Sequence, residues 1–228
     1  MKSIKIFVLF LSGLFLYACG STSSLTKEQT YPDLYKERPL AIAVMPPINK
    51  TNNVEAKEFL YLTISQPLSE RGYYVIPPFL CMEMYKSESA YDAEMFINRS
   101  MKRFGEVLGA DAVLFTSINK WEKSAMSAKV SVQIEYTLKS TKTDEILFYR
   151  KGDITYDASI NSGGGGLIGT LANMAASAIN TAATAHVKVA RSCNAFVLSD
   201  MPAGIYNPDY EKDKTSPAGL KEFKQVVR

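Results

Sequence analysis

Two short apolar segments, residues 40–45 and 73–76, are each followed directly by a pair of prolines. Proline lacks the backbone N–H that a strand ladder needs, so each segment is predicted to be a β-strand that ends there. Between the segments, apolar residues recur at four-residue spacing and predict a helix that ends at Gly72: Ala56, Leu60, Ile64 and Leu68. Strand, helix and strand form a βαβ unit, whose strands are parallel and whose crossover is right-handed. An α/β fold is therefore predicted.

The middle of the chain adds a second helix and further strands to this unit. Helical spacing of apolar residues predicts a helix over residues 92–108, which Gly109 ends. Residues 111–121 follow as a strand. Polar and apolar side chains alternate throughout residues 129–139, which predicts a half-buried strand. A turn and another strand through Tyr156 complete an antiparallel hairpin or meander, so we expect a mixed sheet with helices packed on it.

The last third of the chain is rich in small residues and then becomes polar. Residues 162–166 contain four successive glycines, which predict a flexible hinge. The alanine-rich residues 167–189 predict a long helix, because alanine has the strongest helix propensity. We expect a single α/β domain over residues 38–200 that includes this hinge and helix. The charged, proline-containing tail over residues 201–228 is predicted to be loosely ordered.

Residues 1–18 have the features of a bacterial export signal. Lys2 and Lys5 precede an apolar run over residues 6–16, and the small residue Ala18 marks the cleavage position. A run of roughly eleven apolar residues is too short for a bilayer, which needs about twenty. The stretch that ends in Cys19 resembles a lipobox, so we expect Cys19 to be acylated. The alternative is ordinary cleavage near Ala18, which would give a soluble periplasmic protein.

Residues 19–37 are polar and aperiodic, and we interpret them as a lipidated cysteine followed by a flexible tether. Gly20 rather than an aspartate follows Cys19, and residues 21–24 contain no acidic run. By resemblance to the sorting rules of such proteins, these features predict a lipid anchor in the outer membrane, with the domain on the periplasmic face.

Charge and glycine content argue against two classes of partner. The formal net charge is +3, and removal of the two signal lysines leaves +1. Recognition of nucleic acid needs a basic patch or stripe, so we expect no nucleic-acid partner. Backbone amides after the glycines at 163–166 could hold a phosphate, but Leu167 follows in place of a Gly-Lys-Ser/Thr sequence. We therefore expect no nucleotide.

The sequence contains few of the residue patterns that catalysis or metal binding needs. His186 is its only histidine, so a zinc site built from clustered histidines is not expected. A Ser-His-Asp system would need His186 as its base, yet no Gly-x-Ser-x-Gly sequence presents a serine. We predict no catalytic residue, no metal, no cofactor and no enzyme activity, and interpret His186 as an exposed side chain near a helix end.

Two cysteines remain once Cys19 is assigned to the lipid. The periplasm is oxidising, so Cys81 and Cys193 are candidates for a disulfide. The other interpretation is a pair of buried thiols that behave as small hydrophobic side chains. Spacing along the chain does not decide between the two.

Four stretches together resemble a bacterial lipoprotein family that includes a meningococcal vaccine-candidate antigen. They are residues 44–51 (VMPPINKT), 67–75 (PLSERGYYV), 104–114 (FGEVLGADAVL) and 163–167 (GGGGL), and the similarity spans about residues 38–180. The resemblance implies an α/β domain similar to the amino-terminal domain of TolB and to the core of the curli-secretion channel lipoprotein. It also implies a homodimer or other homo-oligomer and association with other envelope lipoproteins.

The favoured hypothesis is a non-catalytic outer-membrane lipoprotein that acts through protein contacts in an envelope assembly or secretion complex. This hypothesis rests on three features of the sequence: a lipid anchor, a compact domain and the lack of a recognisable set of catalytic residues. A subunit of an oligomeric transport pore, related to the curli-secretion channel, is the second hypothesis. A hydrolase with an unrecognised site is the third.

Overall fold

The structure is a computed structural model that describes residues 25–87, 93–124, 126–127, 129–157 and 186–228. Its strands are β1 Ala41–Val44, β2 Ile48–Asn49, β3 Tyr74–Ile76, β4 Ala112–Lys123, β5 Lys129–Ser140, β6 Ile146–Asp157 and β7 Glu222–Val227. Its helices are α1 Lys27–Thr30, α2 Pro32–Glu37, α3 Val54–Glu70, α4 Pro78–Ser87, α5 Lys102–Leu108 and α6 His186–Leu198, with a 3₁₀ turn at Ala93–Met95.

All seven strands belong to one mixed sheet, in the order β3-β1-β4-β5-β6-β7, with β2 also pairing with β4. The pairs of β1 with β3, β1 with β4, β2 with β4 and β6 with β7 are parallel. The long strands β4, β5 and β6 form an antiparallel meander. The predicted α/β class, with its mixed sheet, is confirmed.

The βαβ unit forms at nearly the bounds that the sequence predicts. The side chain of Asn53 caps α3 by accepting a hydrogen bond from the backbone N–H of Ala56. The predicted apolar stripe of α3 is fully buried, and its strands β1 and β3 pair in parallel. Gly72 ends the unit at a φ of 86°, where an added Cβ would collide with the backbone of Asn207.

The sheet separates two hydrophobic cores, since alternate residues of β1 and β4 point to opposite faces. Helices α2, α3 and α6 cover one face and bury Ile42, Val44 and Leu114 with the inner side chains of the meander. Helices α4 and α5 cover the other face, over β1 to β4 only, and bury Met45 and Phe115. We call these the first and second cores.

The predicted helix over residues 92–108 is shorter than expected. The chain forms a 3₁₀ turn at Ala93–Met95 and bends before α5 begins at Lys102. The bend is stabilised by the Asp144 carboxylate, which accepts a hydrogen bond from the backbone N–H of Met101. Gly109 ends α5 with a φ of 67°, as the sequence predicts.

Helix α6 continues to Leu198, well beyond the predicted end near residue 189. Its buried stripe explains the extension, because Val189, Ala190, Cys193 and Val197 all pack in the first core. Asn194 lies in this stripe and joins three elements: it accepts from the Tyr136 hydroxyl and donates to Leu60 O and Thr63 Oγ1. The predicted hinge at 162–166 and the helix residues 167–185 lie outside the described residues.

The prediction of a flexible tether through residue 37 is wrong from Leu25 onward. Thr26 caps the short helix α1 in a capping box, and α2 follows it directly. Tyr31 and Leu34 are buried in the first core, so these helices are part of the domain.

The prediction of a loosely ordered tail is also wrong, because residues 201–228 pack on the domain. Strand β7 extends the sheet beyond β6, and Phe223 packs on the first core where Gly152 leaves room for its ring. Polar composition suggested disorder, but the tail contains the partners of buried charges in the core.

Asp213 is the centre of one buried network that joins the first two helices, α1 and α2, to the tail. Its carboxylate accepts hydrogen bonds from Lys27 Nζ at 3.1 Å, from an Arg71 guanidinium nitrogen at 3.1 Å and from Tyr35 Oη at 2.9 Å. The backbone N–H of Ala203 is a fourth donor. Burial alone would raise the pKa of Asp213, but these hydrogen bonds and the charge of Lys27 bring it below its usual value.

A second network surrounds Arg150, whose side chain is 4% exposed. Its guanidinium donates to Val197 O and Leu220 O and lies 4.2 Å from the centroid of the Phe223 ring. Asp200 is its counter-charge, with a nitrogen to oxygen distance of 3.7 Å, and accepts from the Tyr31 hydroxyl. The two networks tie α1, α2 and the tail to the core.

We expect Asp213→Ala to lower the free energy of unfolding by about 3–5 kcal/mol, because it leaves Lys27 buried without its counter-charge. Urea denaturation of the mature chain carrying Cys19→Ser, followed by circular dichroism, measures this loss.

Glu106→Ala is the control, because it removes the exposed ion pair with Lys102 and should change the free energy of unfolding by less than about 0.5 kcal/mol. Equal losses in the two variants would show that Asp213 does not hold the ends of the chain.

Candidate functional site

One face of the meander carries polar side chains that none of the described helices covers. We call this the open face; it comprises the outward side chains of β4 to β7. All but Val226 are polar: Lys120, Glu122, Ser131, Gln133, Glu135, Tyr149, Lys151, Asp153, Thr155, Glu222, Lys224 and Val226. No side chain of β5 or β6 contributes to the second core, which ends at β4. The alternation over residues 129–139 predicted the polar side of β5 correctly.

The register of the strands arranges the charges of the open face in rows across the sheet. Lys151 of β6 lies between Glu135 of β5 and Glu222 of β7. Asp153 lies next to Lys224 and accepts a hydrogen bond of 2.7 Å from the Gln133 side chain. Lys151 and Asp153 therefore have oppositely charged neighbours across the strands, whereas Lys120 and Glu122 pair with each other along β4.

The chemistry of the open face suits a polar protein surface. A shallow groove of about 520 Å³ crosses it, lined by side chains of β4 to β7 that include Lys120, Asp153 and Lys224. Lysines and carboxylates alternate, so the face presents neither the basic stripe that nucleic acid needs nor a cluster of carboxylates for a cation. Complementary alternation on a partner would match it row by row.

His186 lies at the start of α6, where the structure places it against α3 and β4 rather than in solvent. Its Nδ1 accepts a hydrogen bond of 3.1 Å from Trp121 Nε1, and its Nε2 lies 3.1 Å from Glu55 Oε2. The Phe59 ring stacks on it at 5.9 Å between centroids. The interpretation as an exposed histidine is therefore wrong; its side chain is only 12% exposed.

The contacts of His186 fix its neutral form. Since Trp121 donates to Nδ1, the ring proton lies on Nε2 and points at Glu55. Burial lowers the pKa of His186, the charge of Lys123 lowers it further, and Glu55 opposes both. Both ring nitrogens are engaged, and neither is hydrogen-bonded to a hydroxyl or thiol among the described residues. A polar cleft of about 440 Å³, lined by Lys50, Asn53, Trp121 and their neighbours, lies beside this cluster.

The predicted site residues lie apart from one another. Cys19 and the glycines at 163–166 are outside the described residues. Cys81 lies in the second core and Cys193 in the first, so the sheet separates the two thiols, and both are free. Burial raises the pKa of Cys81 to about 11 and that of Cys193 to about 12. The structure therefore supports two buried thiols rather than the disulfide.

Within the described ranges, no three His, Cys, Asp or Glu side chains are grouped so that they could hold a metal ion. No helix in the same ranges is long and apolar enough to cross a membrane.

Sequence reasoning missed the charged residues that tie the chain ends to the core. Lys27 and Asp213 are 186 positions apart, and each stands in a segment whose composition is that of a solvated tail. The one signal in these segments is the apolar pair Tyr31 and Leu34, whose three-residue spacing is that of a helix face.

A model of the family described as "Putative lipoprotein GNA1162-like" matches residues 29–207. The "Putative lipoprotein NMB1124/NMB1162" of Neisseria meningitidis serogroup B is 24% identical over 143 residues, which cover 62% of this chain and 66% of that protein. The chain therefore spans just under two thirds of the length of this relative.

Two solved structures are also similar. The crystal structure of lipoprotein GNA1162 from Neisseria meningitidis is 23% identical and covers 64% of this chain and 100% of that chain, with a TM-score of 0.48. The PelC dodecamer from Paraburkholderia phytofirmans is 16% identical and covers 68% of this chain and 87% of that chain, with a TM-score of 0.33.

The free energy of unfolding should fall as the pH drops below about 6.5, the ordinary pKa of histidine, because the folded protein resists protonation of His186. One group accounts for at most about 1.4 kcal/mol per pH unit. Urea denaturation between pH 8 and pH 5 measures the slope.

His186→Gln is the matched variant for this slope, since its amide can accept from Trp121 and donate to Glu55 without titrating. We expect its stability to vary less over the same range, because the chain has no second histidine. Parallel curves for the two proteins would contradict the role of His186.

A thiol titration of the denatured, unreduced, acylated protein should find two reactive groups, Cys81 and Cys193, because the sheet separates them in the fold. Prior reduction should leave this count unchanged. A count that rises from zero to two on reduction would instead establish the disulfide.

Proposed function

This chain belongs to the GNA1162-like lipoprotein family, and on that premise we propose that it is a lipid-anchored envelope protein that acts through protein contacts on the open face. The anchor is Cys19, acylated after removal of residues 1–18. The domain stands on the periplasmic side of the outer membrane and forms part of an assembly or secretion complex.

The observation that carries this proposal is the open face itself. Most sheets of α/β domains are covered on both faces, because apolar strand residues must be buried. Here the outer side chains of β5 from Ser131 to Glu135 and of β6 from Tyr149 to Thr155 are polar, so the sheet tolerates water on that side. The rows of charge give a partner a specific pattern to match.

The partners we propose are other envelope lipoproteins and further copies of this chain. A row such as Glu135, Lys151 and Glu222 has the same order of charges from either end. A second copy, turned by a two-fold axis and displaced by one strand, would place carboxylates opposite lysines. The geometry therefore accommodates a homodimer as well as a different lipoprotein.

No catalytic role is proposed. The histidine that would have to act as a base is held between Trp121 and Glu55, and both ring nitrogens are already engaged. The described thiols are buried in separate cores, and burial raises the pKa of each, which disfavours the nucleophilic thiolate.

The second candidate function is a subunit of an oligomeric transport pore. The parallel edge strand β7 and the alternating charges favour it, since both can be repeated around a ring. Mass measurement of the acylated protein in detergent separates the two: a monomer or a dimer refutes the ring, and a closed higher oligomer favours it.

We expect the charge swap Asp153→Lys with Lys224→Asp to abolish capture of envelope lipoproteins. The swap preserves the attraction between β6 and β7 but changes the pattern that a partner meets. Affinity capture of the acylated protein from detergent-solubilised envelopes, with quantitative mass spectrometry, measures the loss.

The matched control swaps the exposed ion pair of α5, Lys102→Glu with Glu106→Lys, which lies over the second core and outside the open face. It changes as many charges and should leave capture unchanged. If the two variants captured envelope lipoproteins equally well, or lost capture to the same extent, the open face would not be the contact surface.

A further inference from the structure

The chain enters the domain at a point that backbone hydrogen bonds fix to the tail. Leu25 O accepts from the backbone N–H of Ala218 at 2.8 Å, and the N–H of Lys27 donates to Ser216 O at 2.9 Å. An antiparallel bridge joins Thr26 and Pro217 between these bonds. The entry point therefore lies in a small two-stranded ribbon at the surface.

The core holds this ribbon in place. Asp200 accepts a hydrogen bond of 2.7 Å from the backbone N–H of Gly219, and Arg150 donates to Leu220 O. Because Asp200 and Arg150 belong to the second of the buried networks, the entry point cannot move independently of the domain.

Chain length limits how far this point can lie from the proposed lipid. Six residue steps separate Cys19 from Leu25. At no more than about 3.6 Å per residue, they reach at most about 22 Å. A domain of this size has a radius of gyration of about 16 Å, so its diameter exceeds that reach. The face that carries Leu25 must therefore point toward the membrane.

Two large apolar side chains lie on this face and are exposed to solvent. Leu25 is 60% exposed and Leu220 is 73% exposed, on either side of the ribbon contact at Ala218. Single exposed leucines are ordinary on a protein surface, but these two lie at the one point that chain length confines to the membrane. Lys221 follows Leu220 and is also exposed.

We propose that Leu25, Leu220 and Lys221 form a membrane-contact patch that rests on the headgroup layer of the phospholipid bilayer. The leucines enter the boundary between headgroups and acyl chains, and the ammonium of Lys221 meets phosphate. The patch orients the domain with respect to the bilayer, which the acyl chains alone would leave free to rotate. This inference rests on the proposed acylation of Cys19.

The test places a fluorophore on the patch in the full acylated chain. Leu220→Cys is labelled with an environment-sensitive dye and reconstituted in vesicles of phosphatidylethanolamine and phosphatidylglycerol, with or without brominated acyl chains. Cys81 and Cys193 are fully buried and do not compete for the label. The dye should emit at shorter wavelength in vesicles than in detergent-free buffer and lose most of its emission to the brominated lipid.

Val107→Cys is the matched control, because Val107 is 58% exposed on α5, on the opposite side of the sheet. A dye there should show neither the shift nor the quenching. Equal signals at both positions, in protein that floats with the vesicles, would overturn the patch while leaving the anchor intact. If mass spectrometry found no acyl group on the protein, the proposed anchor would be wrong, and so would the membrane-contact patch that depends on it.

Discussion

The carboxylate of Asp213 is the interaction on which the arrangement of this chain most depends. It is buried against Lys27, Arg71 and Tyr35, which come from the amino-terminal helices and from the end of α3. A buried charge is stable only when it is paired and hydrogen-bonded, so each partner requires the others. The two ends of the described chain are therefore held together, and both become part of the domain.

Holding the ends together has a consequence for an anchored protein. A flexible tether through residue 37 would let the domain turn in any direction, whereas the fixed position of Leu25 on the domain limits it to one side. Strand β7 begins just after the ribbon that holds Leu25, so the open face lies beside the proposed membrane contact. A partner anchored in the same membrane would then approach the open face from the side, along the plane of the membrane.

Local patterns in the sequence predicted the inner part of the fold well. The strand, helix and strand up to residue 76 and the meander after Gly109 lie near their predicted bounds, because their apolar spacing follows the period of each element. The prediction of one helix over residues 92–108 was wrong, because Asp144, which is distant in sequence, stabilises a bend in this segment. The prediction of Cys19 as the acylated residue remains a prediction, outside the described residues.

The sequence by itself determined the class of fold, the polar face of β5 and the absence of a recognisable catalytic motif. Each depends on residues that are close together in the chain, so periodicity and spacing reveal them. Only the tertiary structure decided that residues 25–37 and 201–228 pack on the domain, that His186 is enclosed by Trp121 and Glu55, and that Cys81 and Cys193 lie on opposite faces. These depend on pairs of groups far apart in sequence, whose meeting is set by the packing of whole elements.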